Sequence, residues 1–114
     1  MSGITTHVLD QAGGVPAAGM RVRLEIEVAA RGWVALAERT TDADGRVRDF
    51  LAAGSAPDPG RYRITFDAGA WQSARGRESF YGEIPVVFEI RDPARHHHVP
   101  LLLSPFGYST YRGS

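Results

Sequence analysis

All four histidines of the chain fall in two places: His7, and the run His96-His97-His98 directly before Val99-Pro100-Leu101-Leu102-Leu103. Side chains alternate across an extended strand, so His96 and His98 share one face while His97 takes the other. If the strand carrying His7 lies beside the one carrying His98, imidazoles from distant parts of the chain meet. Imidazoles so held transfer protons near neutral pH, orient a water molecule or ligate zinc. For zinc the donor set is His7, His96 and His98, but its spacing matches no standard zinc motif and no metal is expected. The competing reading of the run is solvated surface decoration.

Arg46 follows Asp44-Gly45 and so leaves a tight turn at the mouth of a strand, where a planar guanidinium can engage a carbonyl or stabilise an oxyanion. Asp42 and Asp44, which flank that turn, read more economically as turn formers than as a carboxylate pair. The final stretch, Ser104 to Ser114, is aromatic and β-prone where frayed polar residues are the norm. A strand reaching the last residues would hold Tyr111, Arg112 and Ser114 in fixed positions, on a surface suited to sharing between subunits or as an ordinary sheet edge. Nucleophile elbows, phosphate-binding glycine loops, His-Glu-x-x-His and calcium loops are all missing.

These groups need a scaffold, and the hydrophobic pattern supplies one. Met20, Val22, Leu24, Ile26 and Val28 alternate with charged residues, which predicts a half-buried strand. The same period recurs in Tyr62–Phe66 and in Ile84–Ile90. Further strands are expected at Ile4–Leu9, Trp33–Thr40, His97–Leu103 and Tyr108–Arg112. Turn signals at Ala12-Gly13-Gly14, Asp42 to Gly45, Gly54 to Gly60 and Arg91-Asp92-Pro93 punctuate them. Only Gly69 to Gly76 reads as a helix, of two turns at most. The expectation is an all-β fold, an antiparallel sandwich of about eight strands with one short helix, spanning residues 1–114 as a single domain.

Composition removes several function classes. The 13 basic residues are all arginine, which excludes lysine Schiff bases, and there is no cysteine for thiol catalysis, disulfides or thiolate metal sites. Thirteen acidic residues balance the arginines, so the chain lacks the positive field that nucleic acid or an anionic membrane demands. No segment is long and apolar enough to cross a bilayer, and no leader is visible, so a soluble cytoplasmic protein is expected. At 114 residues one core is affordable, but a functional cleft would draw on a partner subunit.

Three separated blocks together resemble the transthyretin-related 5-hydroxyisourate hydrolase family: Thr5-Thr6-His7-Val8-Leu9-Asp10 with Val15-Pro16-Ala17, then Thr41-Asp42-Ala43-Asp44-Gly45-Arg46, and then His96 through Ser114. The terminal Tyr111-Arg112-Gly113-Ser114 is the most specific part, since true transthyretins lack it. The resemblance implies a transthyretin-like sandwich assembled as a homotetramer, with sites in a channel between dimers, hydrolysing 5-hydroxyisourate without a cofactor. It assigns catalytic roles to His7, Arg46, His98 and Ser114, and substrate contacts to His7, Arg46, Tyr111 and Arg112. Two positions depart from the family pattern: His97 stands where a tyrosine is usual, and Gly82 where a proline is usual. By alternation His97 faces away from the site. The alternative implied by the same fold is a non-catalytic carrier of small aromatic ligands, although His7, Arg46, His98 and Ser114 would make its channel unusually polar.

Overall fold

In the computed structural model, which describes residues 3–52 and 55–113, the alternating segments form nine strands and one helix. They are β1 (Gly3–Asp10), β2 (Val15–Pro16), β3 (Arg21–Val28), β4 (Gly32–Thr40), β5 (Arg46–Val47), β6 (Gly60–Phe66), α1 (Ala68–Ala74), β7 (Ile84–Ile90), β8 (His96–Ser104) and β9 (Gly107–Thr110). One sheet runs β4-β3-β6-β7. The other runs β2-β1-β8-β9, with β5 also paired to β1.

The inward-facing residues of both sheets make one core. Val22 and Leu24 on β3, Tyr62, Ile64 and Phe66 on β6, and Ile84 and Ile90 on β7 meet Ile4 and Val8 on β1 and Val99, Leu101 and Leu103 on β8. Each such large side chain contributes about 1.5–3 kcal/mol by leaving water. The outer face of the first sheet is held by charge: Arg63 on β6 sits opposite Glu25 on β3, donates to it at 2.8 and 2.9 Å, and lies 4.4 Å over the Trp33 ring.

The expected antiparallel sandwich is present with one exception. β1 and β8 run parallel, in register from Gly3↔His96 to Asp10↔Leu103. Parallel pairing of segments some ninety residues apart leaves no turn signature in sequence. β2 and β5, two residues each, were also beyond periodicity. The expected helix begins one residue earlier, at Ala68, and ends by Ala74. The turn expected at Gly54 to Gly60 has its first residue, Gly54, outside the described residues.

The expected strand Tyr108–Arg112 is shorter in the structure, ending at Thr110. The register Leu101↔Thr110 would next place Tyr111 opposite Pro100, which has no N–H to donate. The Pro100 carbonyl instead accepts the Thr110 hydroxyl at 2.7 Å. The ladder resumes for one bridge, where Gly113 N–H donates to the His98 carbonyl at 2.9 Å.

Candidate active site

The parallel β1–β8 pair brings the histidines together. Thr5, His7 and Leu9 project from the outer face of β1; His96, His98, Pro100 and Leu102 project from the same face of β8, with Thr5 level with His98 and His7 level with Pro100. His97 points the other way and is buried, only 6% exposed, as alternation requires.

Arg46 reaches this face through a turn built by its neighbours. The Asp42 carboxylate accepts the N–H groups of Asp44 at 2.9 Å and Arg46 at 3.0 Å, closing the loop on itself. Gly45 adopts φ +74°, and a Cβ there would fall 2.4 Å from the Val8 carbonyl oxygen, so only glycine lets the turn press against β1. Val8 N–H donates to the Gly45 carbonyl at 2.8 Å, and β5 pairs Arg46 with His7. The guanidinium thus stands beside the His7 ring on an edge that the motif Asp42-Ala43-Asp44-Gly45 creates.

Thr5, Arg46, Arg48, His96 and His98 line an open hollow of about 430 Å³. His98 also borders a smaller, more apolar cavity of about 210 Å³ that includes Phe88, Tyr111 and Arg112. Three of its edges are fixed. Nδ1 lies 2.7 Å from the Thr5 hydroxyl, the carbonyl is bridged by Gly113, and the ring edge at Cδ2 packs so closely on Gly113 that a Cβ there would fall 2.4 Å away. Nε2 is left as the nitrogen open to a bound molecule.

Burial lowers the basicity of both His7 and His98, and the Arg46 charge adds to the effect at each ring; at His98, His96 and His7 contribute further. Both imidazoles are therefore biased toward the neutral form at neutral pH. His97 is lowered too, by burial and by the Arg112 charge.

Tyr111, 56% exposed, and Arg112 both line the smaller cavity that His98 borders, and neither lines the hollow shared by Arg46 and His98. Arg112 also joins His97, Glu89 and Arg95 around a further hollow. Ser114 lies outside the described residues. Among the described residues no group of three or more His, Asp or Glu side chains is arranged to hold a metal ion. The Thr5 hydroxyl sits between His96 Nε2 and His98 Nδ1 and engages the nitrogens that a zinc ion would need. Thr5 itself was not singled out from the sequence, although its offset of two from His7 places it on the same face.

A model of the HIUase/Transthyretin family matches residues 4–113. The chain belongs to this family. Within the HIUase/Transthyretin family it is 46% identical to the 5-hydroxyisourate hydrolase of Mus musculus, over 99% of this chain and 96% of that one. It is 47% identical to that of Caulobacter vibrioides, with each chain covered in full. The family likeness extends to solved structures: Klebsiella pneumoniae 5-hydroxyisourate hydrolase superposes with a TM-score of 0.86 at 39% identity, covering 99% of this chain and all of that one. Sea bream transthyretin in complex with thyroxine gives 0.89 at 32% identity, covering 96% and 93%. The transthyretin-like fold expected from the sequence is the fold of this chain, and no helix among the described residues is long and apolar enough to cross a membrane.

Proposed function

We propose that the chain hydrolyses 5-hydroxyisourate to 2-oxo-4-hydroxy-4-carboxy-5-ureidoimidazoline, a step of urate breakdown. The observation that carries this reading is the convergence of His7, Arg46 and His98, from three separate segments, on one solvent-open face where both imidazoles are disposed to be neutral. Near-identical naming of full-length relatives at 46–47% identity supports it.

In this mechanism a neutral imidazole takes a proton from water as its oxygen bonds to a lactam carbonyl carbon. The carbonyl oxygen becomes an oxyanion beside the Arg46 guanidinium; collapse breaks the ring C–N bond, the nitrogen takes a proton, and the carbonyl ends as a carboxylate. General base assistance supplies about 10²- to 10⁴-fold in rate, and a preorganised oxyanion donor about 10²- to 10³-fold. Tyr111 and Ser114 would add hydrogen bonds to the substrate's polar edge. A homotetramer with this face at the interface between dimers suits the surface: Leu9 and Leu102 flank the histidines, and Val15 beside them is 53% exposed.

The test is direct. 5-Hydroxyisourate generated from urate with urate oxidase is followed as it decays, with and without the protein and against spontaneous decay. Arg46→Ala and His98→Asn should each lower kcat/KM by at least about 100-fold while the assembly measured by light scattering stays the same. Wild-type rates in both variants would overturn the assignment. Tight binding of an aromatic hormone with no acceleration of decay would favour a carrier, a reading that the thyroxine-bound neighbour keeps open.

A further inference from the structure

We propose that Thr5 and His96 are positioning residues that lock His98 in one tautomer, with its proton on Nε2, so that His98 acts as a hydrogen-bond donor of the site and His7 as the base. This inference rests on the hydrolase reading above for its chemistry but not for its geometry.

The Thr5 hydroxyl oxygen lies 2.7 Å from His98 Nδ1 and 2.9 Å from His96 Nε2, and the two rings stand nearly parallel, 6.4 Å apart. A hydroxyl carries one proton. Between two neutral imidazoles it is fully satisfied only when it accepts from one nitrogen and donates to the other. Two arrangements meet that condition, and they are opposite in consequence. If the chain of donors runs from His98 to Thr5 to His96, His98 presents a bare Nε2 and His96 must carry its own proton on Nδ1. If it runs from His96 to Thr5 to His98, His98 Nδ1 accepts and Nε2 carries the proton.

The far nitrogen of His96 decides between them. His96 Nδ1 is buried and has no hydrogen-bond partner among the described residues. A proton there would be an orphaned buried N–H, whereas a bare lone pair in the same place is the more tolerated defect. His96 therefore carries its proton on Nε2 and donates to Thr5, Thr5 donates to His98 Nδ1, and His98 offers Nε2–H toward the hollow. With that proton held on His98 Nε2, His7, on the same face, is the imidazole left to accept one. The proton His7 removes from water passes on to the departing ring nitrogen, so His7 ends the step neutral, while His98 keeps its Nε2 proton and donates it only as a hydrogen bond to the substrate oxygen on which charge develops.

Two readouts test this. In the intact assembly labelled with ¹⁵N-histidine at pH 8, His98 should show a pyridine-type Nδ1 and a pyrrole-type Nε2. Thr5→Val, which keeps the shape and removes the hydroxyl, should collapse that preference and lower kcat about 10- to 100-fold with little change in KM; Thr5→Ser should restore both. A pyrrole-type Nδ1 on His98 in the wild type overturns the proposal even if Thr5→Val fails to fold, as does a Thr5→Val enzyme with unchanged kcat. Should the wild type fail to accelerate 5-hydroxyisourate decay, the hydrolase reading falls, while the nitrogen spectrum still decides the tautomer.

Discussion

Gly113→Ala is the most revealing single change this structure offers, because it adds one methyl group to a residue that holds no catalytic function of its own. The new Cβ would lie 2.4 Å from His98 Cδ2 and 3.1 Å from Cγ. Carbon atoms rest about 3.5–4.0 Å apart, so ring or tail must move by roughly 1 Å. The ring resists through its 2.7 Å bond to Thr5, and the tail through the 2.9 Å bond from Gly113 to the His98 carbonyl. Losing either bond costs about 1 kcal/mol, which limits the fall in Tm to about 4–8 °C. A catalytic group displaced by 1 Å, by contrast, can cost about 100-fold in rate. The expected result is a well-folded protein with kcat/KM for 5-hydroxyisourate reduced by about 10- to 100-fold, measured by spectroscopic decay alongside a thermal melt. Activity within twofold of wild type would mean that the tail does not fix the His98 ring, and the reasoning would be wrong.

Gly45→Ala should destabilise the protein by about 1–3 kcal/mol and cut turnover as well, because it forces φ +74° on a side chain that meets the Val8 carbonyl; chemical denaturation and the decay assay would report the two losses together. Arg77→Ala should also lower Tm, since the Asp10 side chain is fully buried and its carboxylate is held by Arg77 at 2.6 and 2.9 Å; a Tm unchanged from wild type would refute this. The depressed imidazoles of His7, His97 and His98 bind fewer protons folded than unfolded, so stability is full above the ordinary imidazole value of about 6.5 and is lost as pH falls through their lower folded values. Melts between pH 8 and pH 5 should show Tm falling on acidification, and a rise would contradict the burial that lowers these groups.

Where the sequence carried strict alternation, it carried the structure. β7 spans Ile84–Ile90 as the pattern has it, and the division of His96 and His98 from His97 follows from strand geometry alone. What brings distant segments side by side left no local mark. The parallel union of β1 and β8 is written in the complementarity of two apolar faces, and the seating of Arg46 depends on how closely Gly45 approaches Val8. The tail could be followed further: counting outward from the tight hairpin Ser104↔Gly107 sets Gly113 opposite His98, which is where the ladder resumes. Thr5 went unnoticed because a threonine on a strand is ordinary, and only a distance to two rings makes it otherwise.

The union of β1 with β8 also has a temporal meaning. Residues 3–10 emerge long before residues 96–104 during synthesis, and until the latter have been made one of the two long edges of β1 has no neighbour. At ribosomal speeds that wait lasts roughly 5–20 seconds, during which Ile4 and Val8 have only part of their final surroundings. The sheet that carries the chemistry is thus the last to close, and the nascent chain spends most of its time on the ribosome with its opening strand half married.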